Sequence, residues 1–253
     1  MRYVDLNCDM GEMPEALADG SQEELMRYVS SANVACGGHA GDSRMMRATM
    51  EQALRHGVAI GAHPGYEDRA NFGRTELQLP SAEISRLIHR QLAKLGEIAT
   101  QCGAIIGHVK AHGALYNQAG RDRQIARAIA EGVRRWNADV ILVGLAGSVM
   151  LDEFQAAGFP VAPEAFADRR YETNGSLRPR KFEDSLWHDP EEAAAQALRI
   201  VERCSVVAVD GSIVPLTTQT ICIHGDTPSA PEIAAAVHRT LTEAGVKIKS
   251  LTR

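Results

Sequence analysis

Histidines, aspartates and a lysine recur in this sequence at a two-residue spacing. Asp5, Asn7 and Asp9 alternate with Val4, Leu6 and Cys8, and Gly61 precedes His63 by the same step. His108, Lys110 and His112 repeat the pattern, as do Cys222, His224 and Asp226, while Asn33, Ala35 and Gly37 lead to His39. Alternation with period two is that of a β-strand, so each polar row shares one face of its strand. Imidazoles and carboxylates in such rows could move protons, and they also supply the nitrogen and oxygen donors of a zinc-like site. Lysine and arginine beside them could hold carboxylate or phosphate oxygens. Burying these groups together is costly unless they pair, bind a metal or meet a ligand, so the set reads as one functional site.

Apolar, β-rich runs that could carry these rows recur at 3–7, 31–36, 58–63, 104–108, 140–145, 159–165 and 220–224. Each is followed by an amphipathic stretch, the pattern of βα units around a parallel sheet. Ser21 with Glu24 and Ser229 with Glu232 have capping-box spacing, and Asp189-Pro190 and Pro80-Ser81 open further helices. Gly57, Gly103 and Gly158 stand where helices should stop. The expected fold is therefore α/β, a seven-stranded βα barrel of the TIM-like kind, with residues 1–253 as one domain. In such barrels the chemistry sits at the C-terminal strand ends, which is where the polar rows fall. The segment 166–189, with Arg169, Arg170, Arg178, Arg180 and Lys181, is long for a βα connection and reads as a functional loop. Asp210-Gly211 between two β-branched runs predicts an insertion hairpin over 206–214.

Composition excludes several partners. Lys and Arg number 27 against 32 Asp and Glu, a formal charge of −5, so there is no cationic excess to neutralise a nucleic-acid backbone. No apolar run reaches the 18 or so residues of a membrane span, and the first residues lack the pattern of a secretory signal. A cytoplasmic protein is expected. The five cysteines are odd in number and form no CxxC pair, which fits a reducing compartment. Cys102 and Cys204 read as small buried hydrophobes, and Cys8, Cys36 and Cys222 as packed neighbours of the site. The P-loop, G-x-G-x-x-G, H-E-x-x-H and G-x-S-x-G motifs are absent from the sequence.

Seven ordered blocks carry a resemblance. They are Asp5-Leu6-Asn7-Cys8-Asp9-Met10-Gly11-Glu12, Ser31-Ala32-Asn33-Val34-Ala35-Cys36-Gly37-Gly38-His39-Ala40-Gly41-Asp42, Gly61-Ala62-His63-Pro64-Gly65-Tyr66 and Phe72-Gly73-Arg74, followed by His108-Val109-Lys110-Ala111-His112-Gly113-Ala114-Leu115-Tyr116-Asn117, Glu164-Ala165-Phe166-Ala167-Asp168-Arg169-Arg170-Tyr171 and Ile221-Cys222-Ile223-His224-Gly225-Asp226-Thr227-Pro228. Over nearly the whole chain the sequence resembles the LamB/YcsF family, the A subunits of bacterial 5-oxoprolinase. It departs from the family pattern at Gly38, Thr75 and Ala111, and after Arg180.

The resemblance implies a distorted seven-stranded barrel related to glycoside-hydrolase and deacetylase barrels. It also implies ATP-dependent opening of 5-oxo-L-proline to L-glutamate, with two further subunits, B and C. On that footing Asp9 or Glu12 activates water, His63 and His112 transfer protons, and Lys110 with Arg169 or Arg74 holds anionic oxygens. Asn7, Asn33 and His39 orient the ring, and Asp5, His224 and Asp226 complete the substrate contacts. ATP is then a co-substrate of the complex, and a divalent metal, if used, has Asp9, His39, His63 and His112 as candidate ligands. Asp9→Ala and Lys110→Ala are each expected to abolish turnover and leave folding intact. Two other readings stand beside this one: a metal-dependent deacetylase or amidohydrolase that needs no ATP, and a non-catalytic protein that delivers ligand to its partners.

Overall fold

The computed structural model describes residues 2–226 and 229–251. Thr227 and Pro228, the end of the last motif block, lie outside the described residues. In chain order the elements are β1 (Tyr3–Met10), α1 (Pro14–Asp19), α2 (Ser21–Leu25), β2 (Ser31–Ala35), α3 (Ser43–His56), β3 (Ala59–His63), α4 (Ser81–Cys102), β4 (Ile106–Lys110), α5 (Gly113–Ala119), α6 (Arg123–Trp136), β5 (Ile141–Leu145), α7 (Val149–Ala156), β6 (Val161–Phe166), α8 (Pro190–Arg203), β7 (Ser205–Val207), β8 (Ile213–Pro215), β9 (Thr220–Ile223), α9 (Ala230–Glu243) and β10 (Lys247–Ile248).

Strands β1 to β6 pair in sequence, and β9 closes the ring by pairing in parallel with both β6 and β1. Seven parallel strands thus form the barrel, as the sequence pattern predicts. Strand β4 begins two residues later than expected and so includes Lys110. Strand β10 adds to the outer flank of β1, and β7 with β8 forms the antiparallel hairpin, joined by a loop in which Gly211 has φ +88°.

The outward faces of the strands and the inward faces of the helices form the apolar core, with Val4, Leu6, Ile60, Leu92, Ile129, Leu142 and Val237 all buried. Several end signals behave as expected. Gly57 and Gly103 close α3 and α4 in the left-handed conformation, and the Asp189 carboxylate accepts from the Glu191 N–H at 2.8 Å to open α8. Others do not. Ser21 is the first residue of α2 rather than its cap, because Gly20 takes the cap position and the Asp19 carboxylate accepts the Ser21 N–H. The Ser229 side chain likewise makes no cap bond to α9. Cys204 is exposed instead of buried, since it caps α8 with φ +48° where the chain turns toward solvent. No helix among the described residues is long and apolar enough to cross a membrane.

Candidate active site

Barrels of this size usually fill their interior with branched apolar side chains. Here a polar column runs up the axis. At its base Asp5 accepts from Ser30, Ser31 and Thr220 at 2.7, 2.7 and 2.5 Å. Burial raises the Asp5 carboxyl against these hydrogen bonds. One step higher, Asn7 donates to Glu164 at 3.0 Å and to Thr220, and accepts from Asn33 at 2.7 Å. His108 joins this layer through a 2.7 Å contact between its Nε2 and Asn33 Oδ1. Register explains its place. Gly61 is the direct neighbour of His108 on β3, and a Cβ at Gly61 would lie 2.0 Å from the imidazole. Only glycine leaves room for the ring. Burial then pushes His108 down to about 4, so it is neutral.

Lys110 crowns the column. Its ammonium lies 2.9 Å from Asp9, 3.0 Å from Glu164 and 3.0 Å from Cys222 Sγ. Burial lowers the lysine, but the two carboxylates and Cys222 outweigh it and hold Lys110 well above its ordinary range. Burial likewise raises Asp9, and the charges of His63 and Lys110 overcome it, so Asp9 stays ionised. Tyr116 donates to the other Glu164 oxygen at 2.7 Å, which completes the satisfaction of that fully buried carboxylate.

Beside Asp9 four side chains gather around one point. Glu12 Oε1 is 2.9 Å from His39 Nε2, 3.2 Å from His112 Nδ1 and 3.7 Å from His63 Nε2. His63 Nε2 is also 3.3 Å from Asp9 Oδ2. His39 stacks on His112 with ring centroids 3.6 Å apart. Burial pushes His39 down to about 4 against its Glu12 contact. It also lowers His63, but the adjoining Asp9 carboxylate raises it further than burial depresses it. Burial raises Glu12, but the adjoining His112 and His39 imidazoles outweigh it and hold Glu12 below the usual carboxylate range. This buried group of one carboxylate and three imidazoles has the donor set of a first-row divalent cation site.

Above these groups opens a cavity of about 590 Å³, walled by Leu145, Phe166, Tyr116 and the loop after β6. Asp9, Glu12, His63, Lys110 and His112 reach it, as do Arg74, Arg169, Arg180 and His224. His224 stacks on Phe166, and its Nδ1 lies 3.0 Å from Asp168, a fully buried carboxylate. Arg169 is itself buried, and among the described residues its guanidinium donates only to the carbonyl oxygens of Arg178 and Ser185. Among the described residues no carboxylate lies within ion-pair distance of it. Burial, with Arg180 nearby, brings Arg169 down to about 10.

The residues singled out in the sequence gather at one end of the barrel, at different depths. Asp5, Asn7, Asn33 and His39 lie beneath or behind the cavity surface, where they hydrogen-bond neighbouring side chains. Lys110 has its three N–H donors bracketed by Asp9, Glu164, Cys222 and Asn7, so it neutralises its neighbours rather than offering a free donor. Arg74 and Arg180 turn toward Asp226, which Arg74 grips directly. Glu164 and Asp168 were legible only as members of a motif block, because their partners Lys110 and His224 are distant in sequence. Of the departures, Ala111 lines the cavity, Thr75 is exposed, and a Cβ at Gly38 would meet the Gln91 side chain at 2.6 Å.

Comparison with known proteins follows the same lines. The LamB/YcsF family pattern matches residues 4–253. The chain is 46% identical over 250 residues to the A subunit of 5-oxoprolinase from Chloroflexus aggregans, covering 99% of each chain. It superposes on the lactam utilization protein of Thermus thermophilus with a TM-score of 0.91 and 43% identity, over 98% of this chain and 100% of that one. A family 4 carbohydrate esterase from Streptomyces lividans shares only the barrel, with a TM-score of 0.55 and 11% identity over 99% and 93% of the two chains. A match of this identity over the full motif order, on a barrel with these side chains at its mouth, establishes that the chain belongs to the LamB/YcsF family.

Proposed function

We propose that this chain is the A component of a 5-oxoprolinase, which opens the lactam ring of 5-oxo-L-proline to L-glutamate with ATP and two partner subunits, B and C. The reading rests on its likeness, across 99% of both chains, to a protein that bears the name of the 5-oxoprolinase A component. The site is compatible with that chemistry. A small carboxylate-bearing lactam suits a cavity with an apolar wall at Phe166 and a buried cation at Arg169 that has no carboxylate within ion-pair distance among the described residues.

A lactam resists water, and phosphorylating its oxygen makes the ring carbon electrophilic. Simple displacement of phosphate would only restore the lactam. The productive course is addition of water at the ring carbon, with its proton passing to Asp9, followed by cleavage of the ring C–N bond as an imidazole protonates the departing nitrogen. A second water then releases phosphate from the resulting acyl phosphate. Asp9, kept ionised by His63 and Lys110, is suited to act as base. His224, oriented by Asp168, is a proton donor within the cavity. Arg169 and Arg180 would hold the anionic oxygens. A divalent cation in the glutamate and histidine cluster would add polarisation of the ring carbonyl or of water. ATP use and five free cysteines both favour a cytoplasmic setting, with residues 1–253 acting as one domain.

The test is glutamate release from 5-oxoproline by this chain with and without ATP and its B and C partners. ATP-dependent release that needs this chain and is lost in Asp9→Asn is expected. Failure of the three-component mixture to release glutamate overturns the reading. Release without ATP that stops on chelation would mark a metal-dependent hydrolase instead. Binding of ATP to the isolated chain decides whether the nucleotide sits here or on a partner.

A further inference from the structure

We propose that Glu12, His63 and His112 form a three-ligand site for one first-row divalent cation of the zinc type, with His39 as the residue that positions Glu12. The inference concerns the cluster alone and does not depend on which substrate fills the cavity.

The hydrogen bonds on the far sides of the two imidazoles carry it. His63 Nδ1 lies 2.8 Å from the Lys110 carbonyl oxygen, and His112 Nε2 lies 2.8 Å from the Phe72 carbonyl oxygen. A carbonyl only accepts, so each of these nitrogens bears its proton. In the neutral rings the remaining nitrogens, His63 Nε2 and His112 Nδ1, then present lone pairs to each other at 3.0 Å. Two facing lone pairs at that distance repel unless a positive centre lies between them, either a proton taken up by one ring beside Asp9 and Glu12 or a cation held by both; the third donor and the locked ring orientations favour the cation. Locking the outer ring N–H on a backbone carbonyl is how metal-binding histidines are oriented.

The third donor fits the same centre. The edges of the triangle made by Glu12 Oε1, His63 Nε2 and His112 Nδ1 are 3.0, 3.2 and 3.7 Å. Tetrahedral ligands about 2.0–2.1 Å from a zinc ion stand roughly 3.3 Å apart. Backbone strain is also spent on this arrangement. Phe72 has φ +54° and Gly73 φ +64°, and this turn aims the Phe72 carbonyl at His112. A left-handed phenylalanine costs on the order of 1–3 kcal/mol, a cost that clusters at functional sites.

His39 and Asp9 take supporting places. His39 Nε2 contacts Glu12 Oε1 at 2.9 Å, while its buried Nδ1 has no hydrogen-bond partner. Donation from Nε2 to Glu12 leaves only a lone pair at Nδ1, whereas metal ligation through Nε2 would strand an N–H there. Asp9 Oδ1 is occupied by Lys110 and Asn33, so Asp9 is already neutralised beside the site. The ligand set therefore exchanges two of the four residues expected from sequence, Asp9 and His39, for Glu12.

The experiment uses the full-length protein stripped of metal by chelator dialysis and titrated with Co²⁺, followed by its visible absorption, and with Zn²⁺ by calorimetry. One equivalent of either ion is expected, with a cobalt spectrum of nitrogen and oxygen ligands in low coordination number and a rise in Tm on Zn²⁺ addition. Glu12→Gln and His112→Gln should each weaken binding by about 100-fold or more, His39→Gln by about 10–100-fold with the cobalt spectrum retained. Asp9→Asn should keep the one-to-one stoichiometry. Circular dichroism checks that each variant is folded, and the wild-type titration decides the matter if any is not. Absence of site-specific uptake by the folded wild type would mean that His63 and His112 share a proton instead, and would overturn the proposal. So would unchanged affinity in Glu12→Gln and His112→Gln, or loss of the ion in Asp9→Asn.

Discussion

Lys110→Met tests the energetics of the barrel axis. Methionine keeps most of the aliphatic stem and deletes the ammonium that stands 2.9 Å from Asp9 and 3.0 Å from Glu164. At an effective dielectric of about 20, each contact carries roughly 5–6 kcal/mol of Coulomb attraction, most of which repays the desolvation of the three groups. Removing one member of such a buried set strands the others, at a cost of about 3–5 kcal/mol. The expectation from sequence that a Lys110 variant would fold unimpaired is thereby replaced: activity and stability should fall together. Adding Glu164→Gln to Lys110→Met removes one stranded charge and leaves a side chain that can still meet Asn7 and Tyr116, so about 1–3 kcal/mol should return. Urea unfolding of the wild type, both single variants and the double variant at neutral pH measures this. A Lys110→Met loss below about 1 kcal/mol, or a double variant less stable than Lys110→Met, would refute the view that Lys110 neutralises a buried carboxylate pair.

Gly61→Ala should destabilise the barrel by about 2–6 kcal/mol, from overpacking together with the lost His108 to Asn33 bond, because the new methyl would lie 2.0 Å from the ring; a thermal melt within a degree of wild type would contradict it. Stability should fall as pH drops from about 6.5 to 4, since His39 and His108 stay neutral when folded down to about 4 but take up protons when unfolded. The slope approaches roughly 2.7 kcal/mol per pH unit for the two groups inside that window, and above it their contribution is complete. His63, raised when folded, acts oppositely: its stabilisation is present below its unfolded value near 6.5 and is lost as pH rises through its folded value. Denaturation midpoints flat from pH 6.5 to 4 would show that the two histidines are not buried neutral. Arg169→Gln should weaken 5-oxoproline binding by about thirty-fold or more, read by calorimetry with circular dichroism as the folding control, and an unchanged Kd would remove Arg169 from the anion site.

Much of this protein was legible in its residue order. The period-two rows at Asp5 to Asp9, His108 to His112 and Cys222 to His224 fixed both the strands and the face that looks inward, because alternation is a property of the chain itself. Seven such runs with helices between them implied the closed barrel, since parallel strands need crossovers and the crossovers were visible as amphipathic stretches. Helix starts were less secure. Ser21 lost its capping role to the neighbouring Gly20 and Asp19, a local competition among residues that all favour turns.

Tertiary structure decided which members of the polar set touch. That Lys110 faces Glu164, that Asp168 orients His224, and that Glu12 meets both His63 and His112 all depend on strand register and barrel closure, which bring together residues 50 or more positions apart. No spacing rule encodes those meetings. The sequence by itself therefore determined the fold and the stock of reactive groups at one mouth. Closure of the ring decided the division of labour among them, because charge pairing and desolvation act through space over a few ångströms and are blind to the distance along the chain.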